Sequence, residues 1–211
     1  MCILAKKLNS FLKRAFDIAA SLYGLIVLSP VMFFVAIFVK CESPGPVFYL
    51  GKRTGRYGIP FRIIKFRTMV AEADKMGGGP SCADDDPRIT KFGRFLRKYK
   101  LNELPQLINV LKGNMSFVGP RPEVKFYTDM FTEEEKAILS VRPGITDWAS
   151  IWNPDEGKVL AEVSAKGQDS ELYYEENIRP QKIKLQLYYV RKRSFWVDMK
   201  ILFETVKVLF K

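Results

Sequence analysis

The stretch that most constrains this chain runs from Ala15 to Val39. It is apolar throughout, interrupted only by Asp17, Ser21 and the pair Ser29-Pro30. As a helix it would reach about 36 Å, enough to cross the hydrocarbon core of a bilayer. A secretory leader is a poor match, because the run is too long and no small-residue cleavage site follows it. A buried soluble helix is also open to so apolar a run, although so few polar residues interrupt it. Both flanks are basic: Lys6, Lys7, Lys13 and Arg14 before it, then Lys40, Lys52, Arg53, Arg56 and Arg62 after it. Basic flanks stay on the cytoplasmic side, so both ends of the run belong there. Pro30 lies mid-run, removes one backbone donor and clashes with the carbonyl of Ile26, which favours a kink. The Ser29 hydroxyl can satisfy the freed carbonyl. Two geometries stand open on these residues: a helix that enters, bends at Ser29-Pro30 and returns, and a straight or mildly kinked spanning helix.

The 34 basic and 23 acidic residues leave a net charge of +11, which points to an anionic partner: acidic lipid, a phosphorylated substrate or nucleic acid. The 211 residues contain no histidine. That removes imidazole general bases, Ser-His-Asp triads and the commonest metal ligand. A metal here is expected to be a hard cation held by oxygens, such as magnesium. Cys2, Cys41 and Cys82 are scattered, with no CxxC spacing, so neither zinc nor a disulfide framework is suggested and a reducing cytoplasm is the natural setting.

After the apolar run the chain changes character. Glu42 to Pro46 is a turn, and two short strand-like runs follow, Val47–Leu50 and Phe61–Phe66, separated by Gly55 and Gly58. Lys65 and Arg67 are placed to face an anion. The loop from Met76 to Pro87 holds Asp84-Asp85-Asp86, a run that could bind a cation but in a Gly-rich loop is usually solvated; Asp85 or Asp86 reads more readily as a turn or cap before Pro87. Ile89 to Leu101 is an amphipathic basic helix, suited to an anionic membrane surface or to a groove that receives phosphates.

The densest chemistry lies in Lys98–Pro122, KYKLNELPQLINVLKGNMSFVGPRP. Leu101, Leu104, Leu107, Ile108 and Leu111 recur at helical spacing. Asn102 is expected to cap this helix, Pro105 is tolerated in its first turn and Gly113 closes it. An acidic dipeptide position at a helix start beside basic residues can handle an anion and a metal together. The Gly119-Pro120-Arg121-Pro122 turn holds Arg121 rigidly, which suits bidentate phosphate binding; a salt bridge to a carboxylate such as Glu123 is the plainer alternative. Further on, Thr132–Glu135 is a capping signature, Asp147–Trp152 reads as a strand or interfacial segment, 154–170 as a loop with a short helix, Leu172–Tyr189 as a helix broken at Pro180, and 194–211 as a final amphipathic helix.

Taken together, the strings KRAFDIAASLYGLIVLSP, PGPVFYLGKRTGRYGIPFRIIKFRTM, DPRITKFGRFLRKYKLNELPQLINVLKGNMSFVGPRPE and RPGIT resemble the bacterial sugar transferase family, the monotopic phosphoglycosyl transferases. The resemblance covers about Lys13 to Thr146 and the WVDMKILFETV tail. It implies an α+β, mostly helical fold, with a re-entrant N-terminal membrane helix, amphipathic interfacial helices and a small β-hairpin around the active site. It implies a membrane anchor over residues 1–40 and a catalytic domain over 41–211. The implied activity is transfer of a phosphosugar from a UDP-sugar to undecaprenyl phosphate, with release of UMP, as the first step of glycan assembly. The implied location is the cytoplasmic face of the bacterial inner membrane, with both termini cytoplasmic. Phospholipid, UDP-sugar and undecaprenyl phosphate are the expected partners; a homodimer is compatible, and nucleic acid is not expected, since no groove-reading motif is present.

The same resemblance assigns roles to residues. The helix break falls on Ser29 and Pro30. Lys65, Arg97 and Arg121 match the phosphate-binding positions, and Asn102-Glu103 match the catalytic Asp-Glu pair, which also holds magnesium. The family's aspartate is thought to attack the β-phosphate and carry the phosphosugar covalently. Asn102 departs from that pattern, because an amide oxygen is a poor nucleophile and a weaker, neutral metal ligand. Three explanations stand: an inactive chain, substitution by Glu103, or direct attack by the lipid phosphate. A silent membrane protein that binds nucleotide sugar or lipid phosphate is the competing function. The DWASIW segment departs from a more frequent GWAQVNG-like one, so the sugar does not carry over.

Overall fold

A computed structural model describes residues 3–76 and 83–209, with side chains described from Leu8 onward apart from 74–75 and 209. The expectations resting on Lys6, Lys7, Cys2, Cys82 and the 77–79 glycines lie outside the described side chains.

Helix α1, Ile3–Glu42, runs through Pro30 without a break in its assignment. The Ser29 hydroxyl donates to the Ile26 carbonyl at 2.7 Å, filling the acceptor that proline leaves free. Leu8–Glu42 is long and apolar enough to cross a membrane, and only 11% of its most apolar window is buried, unlike the core helix of a soluble protein. The polar interruptions of the run explain themselves by where they point. Asp17 and Ser21 are buried against the rest of the chain, while Phe11, Tyr23, Ile26, Phe33, Phe34 and Phe38 are exposed.

Two zones of α1 are anchored. In the first, Lys13 Nζ donates to Val118 O at 2.8 Å and to Asp198 Oδ2 at 2.6 Å. Arg14 donates to the Val110 and Leu111 carbonyls at 2.7 and 2.9 Å, and Asp17 Oδ1 accepts from Ser116 Oγ and Phe117 N at 3.0 and 3.1 Å. In the second, Val35 and Val39 pack with Phe66 and Leu96. Between Ser21 and Val35 no residue is buried.

Strands β1, Phe48–Thr54, and β2, Pro60–Phe66, form an antiparallel ribbon in which Tyr49 pairs with Lys65. Alternation puts Phe61, Ile63 and Lys65 on one face. Ile63 packs there against Val110 and Met115. The inner edge of β2 meets Asn109, whose Oδ1 accepts from Ile64 N at 2.9 Å and whose Nδ2 donates to Arg62 O at 2.8 Å.

Helix α2, Lys91–Lys98, is capped by Thr90 Oγ1, which accepts from Gly93 N at 3.0 Å. Lys100 then takes a left-handed conformation, φ 56°, and a 3-10 turn over Leu101–Glu103 leads into α3, Gln106–Lys112. Gly113, at φ 84°, ends α3 as expected. The expected cap does not form: Asn102 sits inside the 3-10 turn and α3 starts behind Pro105, so its side chain has no helix end to serve.

Strand β3, Ser116–Val118, pairs in parallel with β4, Gly144–Thr146. A Cβ on Gly144 would lie 2.1 Å from Gly119 N, so only glycine permits this approach. Helix α4 is Lys125–Asp129. Thr132 and Glu135 exchange the reciprocal bonds of a capping box, but the helix they open, Glu135–Ser140, is 3-10. The segment expected as a strand or interfacial segment is not a strand: α5, Trp148–Trp152, forms because Asp147 caps it through Ser150 N. Helices α6, Glu156–Ala165, and α7, Ser170–Tyr173, follow. Pro180 does not break the next helix. A π-turn over Tyr174–Ile178 widens the chain before it, and α8, Arg179–Lys192, carries Pro180 in its first turn. Helix α9, Phe195–Leu209, closes the chain beside α1.

Candidate active site

The turn Leu101–Glu103 faces the inner face of the ribbon and the Arg121 turn. Lys65 Nζ lies 2.6 Å from Glu103 Oε1, and Arg121 NH2 donates to the same oxygen at 3.0 Å. One carboxylate thus joins two cations from elements 38 and 18 residues away. Burial alone would raise the Glu103 pKa, but Arg121 and Lys65 outweigh it and hold the carboxyl well below the ordinary range. Burial lowers Lys65 to about 8, against the pull of Glu103 and with the push of Arg121. Glu103 chiefly raises Arg121. The cluster therefore carries two cations and one anion at neutral pH. Its opening is on the Arg121 side, whose side chain is 40% exposed against 14% for Glu103.

Asn102 is 8% exposed, and its Oδ1 has no hydrogen-bond partner. A buried acceptor without a partner is costly, so this oxygen is a candidate to meet a donor or a cation. Gln106, three residues beyond Glu103, is buried with its Nε2 likewise unpartnered.

Arg97 lies at the end of α2, where its Nε donates to Thr68 Oγ1 at 2.9 Å. Ser29 and Pro30 belong to α1 and touch none of these groups. Contrary to expectation, Arg67 does not face an anion. It is buried, and its guanidinium donates to the carbonyls of Val39 at 3.2 Å, Ser43 at 2.7 Å and Pro44, tying the end of α1 to the ribbon. The Arg121 salt bridge is to Glu103 and not to Glu123, which pairs with Lys182 at 2.9 Å. Asp86 behaves as a turn residue, accepting from Arg88 N and bridging the Arg88 guanidinium.

Sequence reasoning missed Asp147 and Lys182. Asp147 is 1% exposed, and its Oδ2 accepts from Arg121 N and from Gln186 Nε2. Lys182 is buried between Glu123, Glu156 at 3.6 Å and the Tyr174 hydroxyl at 3.0 Å. The signal for the first was a carboxylate placed directly after a strand; the second gave none, since its partners lie 59 and 26 residues upstream.

Among the described residues no group of three Cys, Asp or Glu side chains gathers to hold a metal. A magnesium ion does not need one, because it commonly takes one or two protein oxygens and completes its shell with phosphates and water. The unpartnered, buried Asn102 oxygen, one residue before Glu103 in the chain, is the kind of donor such a sparse site uses.

Compared with known proteins, the chain matches the family model described as bacterial sugar transferase over residues 8–211. It is 36% identical over 98% of its length to the UDP-N-acetylgalactosamine-undecaprenyl-phosphate N-acetylgalactosaminephosphotransferase of Aeromonas hydrophila, of which it covers 45%. It is 39% identical over 94% of its length to the UDP-glucose:undecaprenyl-phosphate glucose-1-phosphate transferase of Escherichia coli K12, of which it covers 40%. It is also 38% identical over 93% of its length to the uncharacterized sugar transferase EpsL of Bacillus subtilis 168, and there it covers 86%. The chain thus spans less than half of the first two relatives and most of the third.

Proposed function

Because the chain belongs to the bacterial sugar transferase family, we propose that it moves a sugar phosphate from a UDP-sugar to undecaprenyl phosphate and releases UMP. The observation that carries this reading is the excess cation at Glu103. Lys65 and Arg121 share one carboxylate oxygen, so the pair retains positive charge for a diphosphate. Arg97, whose Nε donates to Thr68, is assigned to the same substrate phosphates.

In the transfer, an oxygen of the lipid phosphate attacks the phosphorus that bears the sugar. The bond from that phosphorus to the bridging oxygen breaks, and UMP leaves with the bridging oxygen. Lys65, Arg97 and Arg121 hold the negative oxygens in line, and Glu103 keeps the two inner cations in place. Glu103 and Asn102 would hold magnesium. When bound, the ion neutralises charge on the diphosphate.

A carboxamide does not serve as the nucleophile, so Asn102 forms no covalent phosphosugar and transfer by this chain is slow. UMP release from UDP-sugars, with magnesium and undecaprenyl phosphate, tests this. Asn102→Asp is expected to turn over about a hundredfold faster or more. Equal rates for the two proteins would defeat the assignment of Asn102. The same residue favours a second reading, a silent protein that holds nucleotide sugar or lipid phosphate. UDP binding with no UMP release, even after Asn102→Asp, would select it.

The membrane arrangement belongs to the same proposal. Residues 1–40 anchor the catalytic residues 41–211 at the cytoplasmic face of the inner membrane, and α1 enters and returns on that face. In support, both anchored zones of α1 pack on the rest of the chain, while no residue of 22–34, which holds Ser29-Pro30, is itself buried. Labelling of single cysteines placed at both ends of α1 from the cytoplasmic side tests it; labelling of one end from the periplasm rejects it.

A further inference from the structure

The Gly119-Pro120-Arg121-Pro122 turn is held by backbone bonds only up to Pro120. Gly119 N donates to Thr146 O at 3.0 Å, and Gly144 N donates to Pro120 O at 2.9 Å. Pro122 has no N–H. The Arg121 amide is therefore the first in this turn whose partner is a side chain: it donates to Asp147 Oδ2 at 3.3 Å.

Asp147 divides its two oxygens between two tasks. Oδ1 caps α5, accepting from Ser150 N and Ser150 Oγ, both at 2.7 Å. Oδ2 accepts from Arg121 N and from Gln186 Nε2 on α8, at 3.3 Å each. Capping alone does not call for aspartate here, since asparagine or serine caps as well without the desolvation cost of a charge that is 1% exposed. Only a carboxylate accepts on both sides. An amide would cap with its oxygen and present N–H groups to the Arg121 N–H.

We infer that Asp147 is a positioning residue for the diphosphate site: its Oδ2 fixes the Arg121 backbone, and through it the guanidinium that meets Glu103. This rests on the reading that Arg121 binds a diphosphate. Gln186 ties the same oxygen to α8, so the position of Arg121 is set from the far side of the β3–β4 pair.

Asp147→Asn separates the two tasks. The introduced amide keeps the α5 cap through its oxygen, and Gln186 can turn its own amide to offer Oε1, which is buried without a partner, to the new NH2 group. The Arg121 N–H loses its acceptor, while the Gln186 amide only exchanges one unpartnered atom, Oε1, for the other, Nε2. The probe is UDP with magnesium, titrated onto the full chain in lipid nanodiscs. Asp147→Asn is expected to weaken UDP binding about tenfold, Arg121→Ala by a similar factor, and the double variant no more than Arg121→Ala. Wild-type affinity in Asp147→Asn overturns the inference. So does a further tenfold loss when it is added to Arg121→Ala, because Asp147 would then act independently of Arg121. Amide hydrogen exchange separates this from failure of the proposed function. If the wild-type chain binds no UDP, the function falls, and exchange at 119–123 decides the inference. Faster exchange there in Asp147→Asn, with 148–152 unchanged, supports the clamp; unchanged exchange at Arg121 removes it.

Discussion

Two charge clusters sit on either side of Arg121, and they are near mirror images. At Glu103 one carboxylate holds two cations, Lys65 and Arg121. At Lys182 one cation holds two carboxylates, Glu123 and Glu156. The first is open on its Arg121 side, while the Lys182 side chain is 8% exposed. The second completes itself: burial would lower the Lys182 pKa, but Glu123 and then Glu156 more than restore it. Tyr174 beside it is pushed up to about 12 by burial and by Glu123. Glu123 and Glu156 also reach Arg121. The sealed cluster is anionic and structural. The open one has positive charge left over, which is what a site for phosphate requires.

The largest effect should come from breaking the sealed cluster. Lys182→Met leaves the Glu123 carboxylate without its buried cation, and a loss of about 3 kcal/mol in stability is expected by denaturant titration in detergent. Because Glu156 is 37% exposed at its side chain, it can turn to water, which keeps the loss at the lower end. The corresponding change in the open cluster should act on chemistry. Glu103→Gln in the Asn102→Asp background is expected to cut UMP release about a hundredfold, with a stability change near 1 kcal/mol, because Lys65 can shed its proton. A loss of stability as large as that of Lys182→Met would erase the distinction between the two clusters.

The smallest effect is in pH. Lys65 has its proton below about 8 in the folded chain and below 10.5 when unfolded. UDP binding should therefore weaken as pH rises through about 8, and Lys65→Arg should move that loss upward. Between about 8 and 10.5 the unfolded chain binds the extra proton, so the Lys65 contribution to stability rises with pH. Lys182 runs the other way. Its folded pKa is raised, so its contribution is whole below 10.5 and is lost above it. Binding and stability curves over this range separate the two lysines.

Much of the fold was legible because it rests on local signals. The ribbon, the Gly113 stop, the Thr132–Glu135 box and the apolar α1 each follow from neighbours within a few residues. The apparent N-cap at Asn102 fails because Lys100 turns left-handed and the chain enters a 3-10 turn first. DWASIW reads as a strand or interfacial segment, and the capping aspartate ahead of it decides for a helix. At the site, Lys65, Glu103 and Arg121 each stand out in the sequence, but their meeting at one oxygen does not, since it depends on packing over 38 residues. Arg67 matches the basic pattern of its neighbours and is consumed by three carbonyls.

The Asn109 side chain has a consequence beyond its two bonds to β2. It supplies the ribbon with one residue of a third strand, donor and acceptor together, and so covers an edge that would otherwise invite another chain. It also pins the register. A slip of β2 by one residue would break both bonds and turn Lys65 to the opposite face, away from Glu103. Glu103 ends the 3-10 turn that leads into α3, and α3 carries Asn109. A single amide thus fixes the alignment that brings the lysine to its carboxylate.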